Sequence, residues 1–164
     1  MKTSRLRTAL DRLYYGAGVL AAACLAGIAV LVLAQIVGRW FGVLVPSAED
    51  FAGYLLAAAT FLALAHALRE GAHIRVELVS ARLPAAVRSF VEGIVLLVAL
   101  AFALWAAWHA GVMVFESWSF AEVSSGHVAV PMWLPQLPMA LGIAVFALAL
   151  LDTAMTHLLR TRSD

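Results

Sequence analysis

The stretch LYYGAGVLAAACLAGIAVLVLAQIVG, residues 13–38, carries no charged group from end to end. A helix rises 1.5 Å per residue and roughly 20 apolar residues cross the hydrocarbon of a bilayer, so this run is long enough to do so. Three further runs invite the same reading. FAGYLLAAATFLALAHAL, 51–68, follows Glu49 and Asp50 and is the shortest. GIVLLVALAFALWAAWHAGVMVF, 93–115, belongs to a helix expected from about residue 90, with Pro84 well placed for a helix start. The last covers 133–158, with Pro135 and Pro138 in its first turns and Asp152 toward its end. Apolar residues surround each run on all sides, as expected where the backbone satisfies itself and side chains face lipid or other helices. The expected fold class is an all-α integral membrane protein, one membrane domain over 1–164 with four transmembrane helices at about 13–38, 51–68, 90–115 and 133–158.

Composition excludes a soluble globule: 64% of residues are hydrophobic and 13% charged, against about a quarter charged in soluble domains. The single cysteine, Cys24, rules out an internal disulfide and a multi-cysteine zinc site. LAAAC at 20–24 resembles a lipoprotein cleavage site, but the residues after it stay apolar, so the first run is expected to remain as a span.

Positive charge sets the expected orientation. Lys2, Arg5, Arg7 and Arg12 precede the first span, Arg69, Arg75, Arg82 and Arg88 lie between the second and third, and Arg160 and Arg162 follow the fourth. Only Arg39 of the eleven basic residues falls on the other side, so both termini are expected in the cytoplasm. Trp40, Trp118 and Trp133 sit at the outer ends of spans, where an indole keeps its ring in the interface and its N–H in water.

Between the second and third spans lies HIRVELVSARL. Its alternation of Ile74, Val76 and Leu78 with Arg75 and Glu77 suits a strand, yet a lone strand has no partner. As a helix it presents two apolar stripes, Ile74–Leu78–Ala81 and Val76–Val79–Leu83, with Arg75 and Arg82 on a flank between them. That pattern suits a short cytoplasmic arm helix over about 72–84, lying flat in the headgroup region.

SAEDFAGYLLAAATFLALAHALREGAHIRVELVSARLP, 47–84, resembles the signature region of the small membrane subunit (DctQ-like) of tripartite ATP-independent periplasmic (TRAP) transporters. The matching features are Glu49 and Asp50, then Arg69-Glu70-Gly71, His73-Ile74-Arg75-Val76-Glu77, and Leu83-Pro84. VPMWLPQLPMALG at 130–142 is similar to the family's Pro-x-Trp and later Pro-x-x-x-Gly, here Pro131, Trp133 and Pro138. Gly53 and Gln136 depart from the pattern, standing where a basic residue and an aromatic are common. The resemblance implies a multi-pass protein of the bacterial inner membrane. Its partners would be a large multi-span transport subunit, a periplasmic substrate-binding protein and the lipid bilayer, with no nucleic acid. The system would take up an organic acid driven by an ion gradient, and this chain would be the scaffold, without enzymatic activity or a cofactor.

The residues agree by subtraction. Broken helices and repeated halves, which mark a transport site, are missing from the sequence, and no Gly-rich phosphate loop appears. Charges lie near the ends of spans. Glu92 is expected to pair with Arg88 one turn away. Asp152 is expected to meet an arginine of the arm or of a partner, or to reach toward headgroups. Gln35 and Arg39 are expected to form a mostly solvated outer charge cluster with Glu49 and Asp50. The candidate partner- or interface-contact residues are Arg39, Glu49, Asp50, Arg69, Glu70, His73, Ile74, Arg75, Glu77, Leu78, Glu92, Pro131, Trp133, Pro138 and Asp152. The outer segment ESWSFAEVSSGHVAVPM, 116–132, is either a surface for the binding protein or a plain connection.

Two rivals come from other classes. A haem- or quinone-associated anchor of a redox complex needs axial ligands at equal depth. His66 and His109 differ by roughly 25 Å when residues are counted from the inner ends of their spans, whereas His66 and His157 are not separated by depth. A small homo-oligomeric exporter or channel needs an aligned polar face, and the span centres offer mainly Ala, Leu, Val and Phe.

Overall fold

The computed structural model describes residues 2–70 and 85–161, with side chains from 7 to 70, at 87 and from 89 to 157. Helix α1 spans Lys2–Trp40, α2 Ala48–Arg69, α3 Ala85–Ser119 and α4 Trp133–Thr161. All four are long and apolar enough to cross a membrane, and there is no strand among the described residues. The expected arm at 72–84, with His73, Ile74, Arg75, Glu77 and Leu78, lies outside the described residues.

The helices overrun the apolar spans, most of all at the start. From Lys2 to Leu13 the chain has no Gly or Pro, so nothing stops the helix where the lipid would end. Helices α1 and α3 then stop in the same way. At the end of α1, Val43 N–H donates to Gly38 O (2.8 Å) and Gly42 N–H to Arg39 O (3.3 Å), with Gly42 at φ 71. This is the Schellman closure, which satisfies the last carbonyls around one left-handed residue. At the end of α3, Glu122 N–H donates to Ser117 O (3.0 Å) and Ala121 N–H to Trp118 O (3.3 Å), with Ala121 at φ 50. Gly38 and Gly42 thus both serve the closure of a helix end.

The packing order is a row, α1–α2–α4–α3, with α1 touching α4 only slightly. Helices in lipid gain little from apolar burial against each other, so small residues that allow close approach decide which faces meet. Ala21, Ala58 and Leu62 join α1 to α2; Tyr14, Ala65 and Ala149 join α1, α2 and α4; Leu100, Ala103, Ala147 and Leu150 join α3 to α4. The tightest crossing is at Gly142 of α4, where a Cβ would stand 2.5 Å from the carbonyl carbon of Phe61 and 2.7 Å from the amide nitrogen of Leu62. Only glycine lets α4 lie on the α2 backbone there.

The connection between α3 and α4 is a tight hairpin. Ser124 N–H donates to Val130 O (2.8 Å), Met132 N–H to Glu122 O (2.9 Å), and Val123 pairs with Pro131. The Ser124 hydroxyl donates to Val128 O and accepts from Val130 N–H, both at 3.1 Å.

Candidate functional site

The end of the row that holds both termini, the basic end, gathers the strongest electrostatic contacts. Arg69 is the last residue of α2, where a cation also suits the helix dipole. Its Nη1 donates to Asp152 Oδ2 of α4 at 3.2 Å, its Nη2 donates to Asp11 Oδ1 of α1, and its guanidinium lies 5.4 Å from the centre of the Tyr14 ring. One cation therefore serves two carboxylates and an aromatic face from the two helices flanking α2. Asp152 is the less exposed acid, with 23% of its side chain accessible against 49% for Asp11. Tyr14 is fully buried beneath the arginine and joins the Ala65–Ala149 cluster.

Arg69 and Asp152 are sequence candidates, and the structure joins them directly; the partner of Asp152 is the end of α2. Asp11 escapes the sequence reading, because the apolar run begins at residue 13; Tyr14 stands at the inner end of that run, with nothing local to mark its contact with Arg69. A signal was present: Asp11, Tyr14, Gly18 and Ala21 recur at three- and four-residue spacing and share one helix face. Gly18 on that face receives the His66 ring, with a would-be Cβ 2.8 Å from His66 Cγ.

A second contact closes α3 onto α4. His157 Nε2 stands 3.6 Å from Glu92 Oε2, beside a recess lined by Gly93, Leu96, Leu97, Ala154 and His157. The expected partner of Glu92 was Arg88, whose side chain lies outside those described. His157 went unrecognised as a partner because its proximity to Glu92 follows from the antiparallel register of two helices far apart in sequence.

At the opposite end, the hairpin docks on the start of α2. Ser47, at φ 55, spends its hydroxyl as acceptor for Val128 N–H at 3.0 Å and does not cap its own helix. Gly126 sits so close to Asp50 that a Cβ would lie 2.3 Å from Oδ2. The expected outer cluster does not close into ion pairs: among the described residues Arg39 meets neither Glu49 nor Asp50, and all three are exposed. Glu49 and Asp50 lie in the first turn of α2, where acids suit the dipole. Pro131 pairs with Val123, Trp133 begins α4, Pro138 lies inside its early turns, and Glu70 closes α2 by donating its N–H to His66 O.

His66 and His109 lie closer in depth than the counting of residues implies. Antiparallel packing sets Glu92 and Gly93 beside His157, and Leu100 and Ala103 among Ala147 and Leu150. Each step out along α3 is thus a step back along α4, and His109 comes level with Leu141 and Gly142. Gly142 in turn rests on Phe61 and Leu62, so His66 and His109 differ in depth by roughly 10 Å, not 25 Å. The counting failed because it aligned the ends of α2 and α3, whereas α3 extends past α2 at the basic end. They remain apart laterally: His66 faces Tyr15 and Gly18 of α1, while His109 stacks on Trp105 of α3.

The geometry is one of fastening. α2 is held at one end by the arginine bridge to α1 and α4 and at the other by the hairpin, and no group of three or more His, Cys, Asp or Glu suited to a metal ion occurs among the described residues. Comparison with curated proteins gives no match. The family model for the DctQ component of tripartite ATP-independent periplasmic transporters matches residues 28–160, which takes in the last third of α1, all of α2 and α3, and α4 up to its last residue. With its four membrane-length helices, the chain belongs to the DctQ family and is a small membrane subunit of a TRAP transporter.

Proposed function

We propose that this chain is the stationary scaffold of its transporter in the bacterial inner membrane, with both termini and the 70–84 connection in the cytoplasm. It holds a large multi-span transport subunit while that subunit moves an organic acid inward, driven by an ion gradient, from a periplasmic binding protein. The scaffold carries out no reaction. The observation that supports this reading best is the fastening of α2 at both ends, which ties α1, α2 and α4 through Arg69 and the hairpin to α2 through Ser47. A moving transport element would instead need helices free to shift against each other, and broken helices around a central site. The basic residues at one end support the orientation.

The test is co-expression with the large membrane subunit of the same transporter, purification through a tag on this chain, and reconstitution with the binding protein. A stoichiometric complex that accumulates a labelled organic acid only under an ion gradient supports the scaffold. Failure of the two membrane chains to co-purify contradicts it.

A further inference from the structure

Of the four spans, α3 is the least covered within the subunit, since among the described residues it packs chiefly on α4. Its uncovered side holds Phe102, Trp105, Trp108 and His109, which share an arc of the helix because 105 lies three residues from 102 and 108 and four from 109. Trp105 is 59% exposed and Trp108 72%. The His109 ring stacks on Trp105 with centroids 4.6 Å apart, and neither imidazole nitrogen has a hydrogen-bond partner among the described residues.

The depth of this patch makes it unusual. His109 is level with Leu141 and Gly142, and Gly142 lies on Phe61 and Leu62. From there α2 continues roughly 12 Å to Arg69 and roughly 20 Å to Ala48. Trp108 and His109 are therefore inside the hydrocarbon, away from the interface where tryptophan is at home, while Trp105 and Phe102 lie roughly 6 Å and 10 Å nearer the Arg69 end. The Trp108 indole N–H and the His109 imidazole would face acyl chains that offer no acceptor. The uncovered faces of α1 and α4 carry no such group at this level: α1 is apolar from Ala17 to Ala34 apart from Cys24, and α4 from Met139 to Leu151.

We propose that the Phe102–Trp105–Trp108–His109 face of α3 is the seat of a transmembrane helix of the large transport subunit that presents hydrogen-bond acceptors at mid-depth. This rests on the scaffold reading and names the face it uses. Indole N–H groups are donors only. A second copy of this chain would bring donors against donors, with His109 as the sole acceptor, so the occupant is a different chain. Hydroxyls, side-chain amides or the free carbonyls of a broken helix fit.

The experiment places a photo-crosslinking benzoylphenylalanine at Phe102, or at Leu33 on the exposed face of α1, in this chain co-expressed with the large subunit. Crosslinking to the large subunit is expected from 102 and not from 33. The pair Trp105→Leu and His109→Leu, which leaves the α4-facing side intact, is expected to lower the recovered large subunit about tenfold, while His109→Gln keeps most of it. A complex that forms but crosslinks only from 33, or crosslinks between copies of this chain from 102, or unchanged recovery with both leucines, overturns the assignment of the face. Absence of the large subunit even with the unaltered chain overturns the scaffold reading as well.

Discussion

Arg69 Nη1 lies 3.2 Å from Asp152 Oδ2, joining the last residue of α2 to the penultimate turns of α4, while its other amino group holds Asp11 of α1. Three helices that otherwise meet mainly through small and apolar residues are thus tied at one end by a single side chain. A surface ion pair is worth little, but these carboxylates are only partly exposed and share one cation. Removing the arginine would leave two acids facing one another beside buried Tyr14.

Arg69→Ala is therefore expected to destabilise the subunit by roughly 1–3 kcal/mol, more than Asp11→Asn does, because Asp11 is the more exposed partner. Thermal unfolding in detergent reads both. Combining Arg69→Ala with Asp152→Ala should cost less than the sum of the two single changes. Strict additivity would show that the bridge is not formed.

Gly142→Ala is expected to cost roughly 2 kcal/mol, since the new methyl meets the Phe61–Leu62 backbone, which cannot yield without separating the helices. Gly18→Ala meets His66 Cγ at 2.8 Å and Cβ at 3.1 Å; rotation of the ring relieves the first contact but not the second, so its cost should be about 1 kcal/mol, below that of Gly142→Ala. Equal losses for the two in the same unfolding assay would contradict the α2–α4 crossing.

How far the sequence led can be judged at these residues. Span number and helical class followed from runs without charge, which report directly on the medium. The Arg69–Asp152 pair was half visible: both residues stood out as charges near span ends, but which helices are neighbours depends on small residues such as Gly142 and Ala65, and a uniformly apolar helix has no marked face. Asp11 was hidden because hydropathy marks the edge of the lipid, not the end of the helix. The depth of His109 required the stagger between α2 and α3, which no local pattern encodes.

Gly126→Ala should loosen the hairpin from α2 while leaving the helices in place, because its Cβ would displace the Asp50 carboxylate and press on the Ser47 hydroxyl. Faster amide exchange confined to 120–132 is the expected readout, and Asp50→Ala in the same chain should restore much of the protection. Unchanged exchange in Gly126→Ala would mean that the hairpin does not dock there.

Ala121 occupies the left-handed closing position of α3 at φ 50, where a side chain costs about 1 kcal/mol. Ala121→Gly is expected to raise stability by up to that amount, a gain of a few degrees in melting temperature. A lower melting temperature would contradict the closure.

The proposed scaffold supports transport without performing it. Proteoliposomes with an imposed ion gradient test it most directly, charged either with this chain alone or with this chain, the large subunit and the binding protein. Organic-acid uptake is expected only in the second set, and is expected to be lost when this chain is omitted. Uptake by this chain alone, or undiminished uptake without it, would show that it is not the scaffold.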